Sequence, residues 1–557
     1  MSFVDVFLSH LEAHADRAFV TEVQGERLVP TRGGRLREMI EQARHALRAA
    51  GVSKGDRVVL IAPNSARWVA CDLAILAEGA TCVPMYARQA PDELADMIRD
   101  CDPRLIVVGG APLHDRLHSQ EALQKQLAPH RKQVPAKLTV LDALFAGAPP
   151  ATLERARELT PDDVVTIIYT SGSSGEPKGV MTSALNVEHM LPVLDSKLRE
   201  LTGAAGGRDR VFHYLPFCFA GSRMVLWASL YRANGLFLST NLEDLAREMR
   251  VAAPQYFLNV PALLERVRAG VEAKIAERPL PVRLLYERAI EAFRRERKGV
   301  AGKRDRALLL AAKTAIFPKI RAQIGNQIVG LICGSAPLAE ETQVWFSELI
   351  GIPVFQVYGL TETTAIVSMD RVGAVNPGRV GYPIAGCDVK LGEGGELLVK
   401  GPNVFPGYFR RAEASRAALT SDGWFRTGDQ ASIDERGVIQ MIGRVKNILV
   451  PSSGHNVAPE PIEQLLMERL PGVAQAVVIG HGRPYLVALL TGAIEQNAVE
   501  TAIEAVNADL PHYRRIRRFL LQREPLTIES GLLTANQKLR RAQIEAHFAQ
   551  AIDGLYA

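Results

Sequence analysis

The chain has 557 residues, more than one simple hydrophobic core accommodates, so at least two domains are expected. Its 66 Lys and Arg against 61 Asp and Glu leave +5, too mild for a histone-like nucleic-acid binder, and no nucleic-acid partner is expected. Hydrophobic residues at 47% and charged residues at 23% exclude disorder as the default.

In chain order, Leu36, Met39, Ala43 and Leu47 fall at helical spacing. There follow an apolar run RVVLIA (57–62), a helix-like stretch at 66–79, and the runs RLIVV (104–108) and KLTVL (137–141). VVTIIY (164–169), QYFLNV (255–260), IVGLI (328–332) and PVFQV (353–357) continue the series. Short runs apolar on both faces are strands buried beneath helices, and their alternation with helices predicts a mainly parallel α/β architecture. Segment 283–323 carries twelve Lys/Arg against four acidic residues. It is expected to be a solvated helical insertion; the alternative is a dock for an anionic membrane surface or an acidic partner. After about 388 short strands and glycine turns predict a small β-rich subdomain. From 444 a compact α+β pattern begins: a helix near 460–469, strands at 473–479 and 485–491, and a helix near 498–509. A domain boundary is placed between Gly443 and Arg444, giving a large domain 1–443 and a small one 444–557. Six scattered cysteines with no CxxC pair fit a reduced setting. The amino terminus lacks a basic n-region before an apolar core, and no apolar run reaches the roughly 18 residues of a membrane span. A cytoplasmic protein is expected, with peripheral membrane contact left open; the sequence does not give its oligomeric state.

The sharpest local signal is TSGSSGEPKG, directly after VVTIIY. Gly172 and Gly175 allow a tight turn, while Thr170, Ser171, Ser173, Ser174 and Lys178 supply donors and positive charge, as a polyphosphate requires. It is not a Walker A loop, and the bland alternative is a Ser/Gly hairpin. Tyr358-Gly359-Leu360-Thr361-Glu362 also follows a buried strand, and a hydroxyl beside a carboxylate there suits a phosphate oxygen and a divalent cation. Gly334-Ser335-Ala336-Pro337 offers small residues against which a flat ring can lie. Asp429, read as standing at a turn after FRTG, can accept both hydroxyls of a ribose, with Arg444 beside it. Lys538 stands in GLLTANQKLR, where a lone lysine is ordinarily solvated.

Together TSGSSGEPKG, GSAPL, YGLTE, FRTGD, GRVK and LLT…KL resemble, in this order and spacing, the core motifs of the adenylate-forming superfamily of acyl- and aryl-CoA ligases, adenylation domains and luciferases. The resemblance covers about residues 30–545. GYFR, SSGHNVAPEPIEQLL and GLLTANQKLRR are most similar to the long-chain fatty acyl-CoA synthetase branch. It implies a large domain of helix-covered, mainly parallel sheets with the β-rich subdomain, and a small mobile α+β carboxyl-terminal domain. It also implies an ATP- and Mg²⁺-dependent carboxylic acid–CoA ligase for medium- or long-chain fatty acids, acting through an acyl-adenylate; an acyl-AMP ligase loading an acyl-carrier protein, or an aryl-CoA ligase, is the alternative. By the same resemblance, Lys538 reaches carboxylate and α-phosphate, residues 170–178 hold the departing phosphates, and Thr361 touches phosphate. Glu362 carries Mg²⁺, Asp429 and Arg444 hold the ribose, and Gly334 to Pro337 take the adenine side. Lys446 is the hinge, Gly454 belongs to the loop that meets CoA, and Phe219, Tyr214 and Val260 line the acyl pocket. The sequence departs from the family pattern at Phe219 and Ala184, where many relatives have histidines, and at Asn447, often acidic. The first two leave acyl specificity open.

Overall fold

The computed structural model describes residues 2–118, 137–148, 152, 154–171, 177–203, 206–452, 454–534 and 538–557. Among them, four sheets carry the architecture. A six-stranded sheet runs in the order Lys137–Val140, Leu105–Val108, Arg57–Ile61, Thr81–Pro84, Val164–Ser171, Pro177–Ser183. Every pair is parallel except the last, which is an antiparallel hairpin pairing Thr170 with Lys178. The expected strands here are present because Val, Ile and Leu fill both faces of positions such as Val58–Ile61, which are fully buried.

A nine-stranded sheet lies beside it, with a parallel centre formed by Val354–Tyr358, Gly330–Cys333, Tyr256–Asn259, Arg210–His213, Gly235–Ser239 and Ala18–Gln24. Antiparallel strands Arg27–Arg32, Ser368–Met369 and Tyr382–Pro383 finish its edges. The helix Gly33–Ala49 buries Leu36, Met39, Ala43 and Leu47, the face read from the sequence. The helix Ala184–Thr202 starts at a reciprocal Ser183–Asn186 cap and stops at Gly203 in the left-handed region.

Segment 283–323 is helical and its basic residues face solvent as expected, but its apolar face is packed into the core. The helices Leu280–Arg297, Lys303–Ala315 and Phe317–Gly325 bury Tyr286, Ala289, Phe293, Leu309, Phe317 and Ile320 in a core shared with Trp345. The indole of Trp345 donates to the Tyr286 hydroxyl at 3.0 Å. Several of its arginines are paired: Arg294 with Glu341, Arg295 with Asp305 and Arg297 with Glu340. The charge count hid this because apolar residues at helical spacing sit between the basic ones.

The β-rich part is a four-stranded antiparallel sheet, Asp388–Leu391, Glu396–Lys400, Phe425–Ile433 and Ile439–Arg444. The last sheet places Leu486–Thr491 between Gln475–Ile479, antiparallel, and Ile516–Gln522, parallel. Helices Pro459–Arg469 and Gln496–Ala508 cover one face of it, and residues 526–533 and 539–556 cover the other. Among the described residues no helix is long and apolar enough to cross a membrane.

Candidate active site

Parallel sheets present their ligand-binding loops at the carboxyl ends of the strands. In the nine-stranded sheet those ends carry Tyr214, Val260, Gly334 and Tyr358, and in the six-stranded sheet Thr170. The nine-stranded sheet therefore brings residues 24 to 144 positions apart in sequence to one rim, of which Val260 N–H donates to the Tyr214 hydroxyl at 3.3 Å. Ser171 to Gly175 lie outside the residues whose side chains are described, so the hairpin's ends, Thr170 and Lys178, mark where that loop springs from.

Downstream of Val354–Tyr358 the chain makes a tight turn. Gly359 is needed there, since a Cβ would stand 2.1 Å from the Ala365 carbonyl oxygen. Thr363 bonds back to Leu360 N–H at 2.9 Å, and the Thr364 hydroxyl donates to the Asn403 carbonyl at 2.8 Å. With Thr363 and Thr364 buried in those bonds, Thr361 and Glu362 are left half-exposed on the open side. Ser335, in the loop after Gly330–Cys333, holds φ at +75°, a conformation seldom adopted by a non-glycine residue and one that recurs at ligand sites. Ser335, Ala336 and Pro337 are exposed while Gly334 is buried.

Asp429 does not stand at a turn. It lies within the strand Phe425–Ile433, at an irregularity in its pairing. Leu398 pairs with Arg426 but Glu396 with Gln430, two steps on one strand against four on the other, and Gly428 absorbs the excess at φ +69°. The bulge re-aims Asp429, whose carboxylate accepts from the Tyr358 hydroxyl at 2.7 Å and pairs with Arg444 Nε at 2.7 Å. Burial pushes the Asp429 carboxyl up, against the opposing pull of Arg444 and Tyr358, and burial and Asp429 push the Tyr358 phenol well up.

Tyr408, a residue the motifs did not assign, links Glu362 and Lys178. Its hydroxyl donates to Glu362 Oε1 at 2.9 Å, and its ring lies 5.3 Å from the Lys178 ammonium. Burial first, then Glu362, push its phenol far up, so it remains a donor. Asn186 holds the segment before it, donating to the carbonyls of Pro402 and Val404 at 2.7 and 2.9 Å, and Phe405 N–H donates to the Glu362 carbonyl at 2.8 Å. The GYFR texture was visible in sequence; the Tyr408 contact to Glu362 was not. Among the described residues no group of three His, Cys, Asp or Glu forms a metal cage, and the second oxygen of Glu362 accepts no hydrogen bond. A lone free carboxylate oxygen fits magnesium, which takes one or two carboxylates together with substrate phosphates.

Lys538 faces this cluster from the carboxyl-terminal region. Desolvation, then Arg444, lower its ammonium pKa, while Asp429 and Glu362 oppose them, so all three charges bear on it. Lys446, in the turn Val445–Asn447, is likewise lowered by burial, Arg444 and Lys178. Asn447 donates to Glu460 at 2.7 Å, so an amide partners the acid there. Phe219 caps the helix Ala220–Tyr231 and packs against Tyr86 at 6.1 Å between ring centres. Gly454 is not gathered in: it lies on an exposed turn closed by its bond to the Pro451 carbonyl. Next to it His455 stacks on Tyr513, which leads into the surface arginines Arg514, Arg517 and Arg518.

A family model described as AMP-binding enzyme matches residues 12–409, and one described as AMP-binding enzyme C-terminal domain matches residues 446–557. The long-chain-fatty-acid–CoA ligase FadD15 of Mycobacterium bovis is 28% identical over 93% of this chain and 90% of that protein. The chloroplastic long-chain-fatty-acid–[acyl-carrier-protein] ligase AEE15 of Arabidopsis thaliana is 26% identical over 99% of this chain and 86% of that protein. The crystal structure of ATP-bound MatB from Rhodopseudomonas palustris shares the fold, with a TM-score of 0.75 and 22% identity over 98% of this chain and 99% of that one.

Proposed function

Because the chain belongs to the AMP-binding enzyme family, we propose that it is an ATP- and magnesium-dependent ligase joining a medium- or long-chain fatty acid to CoA through an acyl-adenylate. The observation that carries the reading is the bonded cluster Tyr358–Asp429–Arg444 and Lys178–Tyr408–Glu362, with Lys538 facing it. In the first half-reaction a carboxylate oxygen attacks the α-phosphorus of ATP and pyrophosphate leaves. Lys538 answers the negative charge that builds between the two anions. Asp429 and Arg444 receive the ribose hydroxyls, Gly334 to Pro337 the adenine, and Thr361 a phosphate oxygen. Residues 170–178 hold the departing pyrophosphate. Glu362 would hold magnesium, which neutralises phosphate charge.

In the second half-reaction the CoA thiol attacks the acyl carbonyl, AMP leaves and the thiol proton is released. We assign residues 1–443 to a large domain and 444–557 to a small one that turns at Lys446, withdrawing Lys538 and bringing the Gly454 loop to the thiol. Tyr214, Val260 and Phe219 are assigned to the acyl pocket, and apolar Phe219 favours an apolar acid. A carrier-protein acceptor is the second reading, favoured by the surface arginines beside Gly454 and by the acceptor in the name of the Arabidopsis relative. An aryl acid is the remaining alternative for the substrate. The test is a panel of saturated and aromatic acids assayed with CoA and with holo-acyl-carrier protein. Thioester to CoA with fatty acids supports the proposal, and transfer only to the carrier, or only of aromatic acids, replaces it.

A further inference from the structure

Lys538 belongs to a hairpin arm held at both ends. Thr534 N–H donates to the Lys538 carbonyl at 2.9 Å, Lys538 N–H to the Thr534 hydroxyl at 3.1 Å, and Arg540 N–H to the Leu532 carbonyl at 3.0 Å. Leu539 bridges to buried Leu533 and packs into the core of its own unit, so the alternation of an extended chain turns Lys538 and Arg540 away from it together. Arg541 pairs with Glu463 of the same unit at 2.5 Å. Arg540 does the opposite: its Nη2 meets Glu93 Oε1 at 2.6 Å, across 447 residues of sequence.

Glu93 is a firm anchor. It sits in the first turn of the helix Pro91–Cys101, whose Leu94, Met97, Ile98 and Cys101 are buried in the core against the six-stranded sheet. Its second oxygen accepts from Gln89 at 2.9 Å, so both oxygens are directed. Burial would raise the Glu93 carboxyl, but the bonds from Arg540 and Gln89 hold it below the usual carboxylate range. Among the described residues, the ion pairs joining residues 1–443 to 444–557 are this one and Arg444–Asp429 at the boundary itself. Arg540 lies two positions from Lys538.

We propose that the Arg540–Glu93 pair is a positioning clamp that holds Lys538 at the nucleotide cluster during adenylation and parts before thioester formation. The inference rests on the ligase reading above and deepens it. Neither side chain touches substrate; each acts through the placement of Lys538.

The experiment measures the two half-reactions separately, with dodecanoate as the acid. Glu93→Gln and Arg540→Gln are expected to lower kcat of ATP–pyrophosphate exchange about fivefold, as loss of a half-exposed pair does at most, with KM for ATP unchanged. Supplied with dodecanoyl-adenylate and CoA, both variants form thioester at the wild-type rate or faster. The exchanged pair, Glu93→Arg with Arg540→Glu, restores pyrophosphate exchange. Equal losses in both half-reactions, or no recovery in the exchanged pair, overturn the clamp and leave a purely structural contact. Wild-type exchange that the single variants leave unchanged overturns the clamp alone. Absence of exchange by the wild type with every acid in the panel overturns the ligase reading, and the clamp with it.

Discussion

The two sides of the nucleotide site are built differently. On the large side, Asp429 is bonded to Tyr358 and to the boundary residue Arg444, and Glu362 to Tyr408, on strand ends and a β-bulge. On the small side, Lys538 comes on an arm that one described ion pair fastens to residues 1–443. Hydrogen-bonded groups on rigid elements keep their geometry without substrate, whereas a single half-exposed pair is worth about 1 kcal/mol or less. On the proposed function, the difference makes nucleotide binding and the chemical step separable: the first is preassembled and the second is delivered.

The strongest way to break this comparison is Lys538→Ala. Pyrophosphate release should fall by about 10² to 10³, as removal of a transition-state donor does elsewhere, while KM for ATP changes little. A large rise in KM with kcat preserved would move Lys538 to the preassembled side. Glu362→Gln should slow magnesium-dependent adenylation about tenfold to a hundredfold and raise the magnesium concentration needed, with thermal unfolding unchanged. Undiminished pyrophosphate release at limiting magnesium removes Glu362 from that role. Asp429→Ala should raise KM for ATP by about 1–3 kcal/mol in free-energy terms, because ribose bonds serve ground and transition states alike. A loss confined to kcat contradicts it. The smallest effect is expected from Tyr408→Phe, which removes one hydrogen bond to Glu362 and keeps the ring beside Lys178. A loss of about 0.5–1.5 kcal/mol in kcat/KM, greater at low magnesium, sharpens the account, and a loss independent of magnesium counts against it.

The sequence made some of this legible and concealed the rest for physical reasons. Strands such as 57–62, 104–108 and 164–169 declare themselves because buried parallel strands are apolar on both faces, a property of adjacent residues. The motif residues Glu362, Asp429 and Lys538 were legible through the ordered motifs of the family resemblance; alone, a lysine such as Lys538 is ordinarily solvated. Their partnerships were hidden. Tyr408 reaches Glu362 across 46 residues and Arg540 reaches Glu93 across 447, and only the folded topology brings them together. The bulge at Gly428 was misread as a turn because glycine at positive φ serves both, and only strand pairing tells them apart. Segment 283–323 was read from its charge alone: its arginines do reach out, but Phe293 and Leu309 are buried in the core.

The claim that Lys538 is delivered for one half-reaction and not the other is tested most directly by giving Lys538→Ala purified dodecanoyl-adenylate and CoA and timing thioester formation in a single turnover. The account predicts a rate close to that of the wild type, beside the large loss in pyrophosphate release. A loss of the same size in both half-reactions would mean that Lys538 acts in both, and would contradict it.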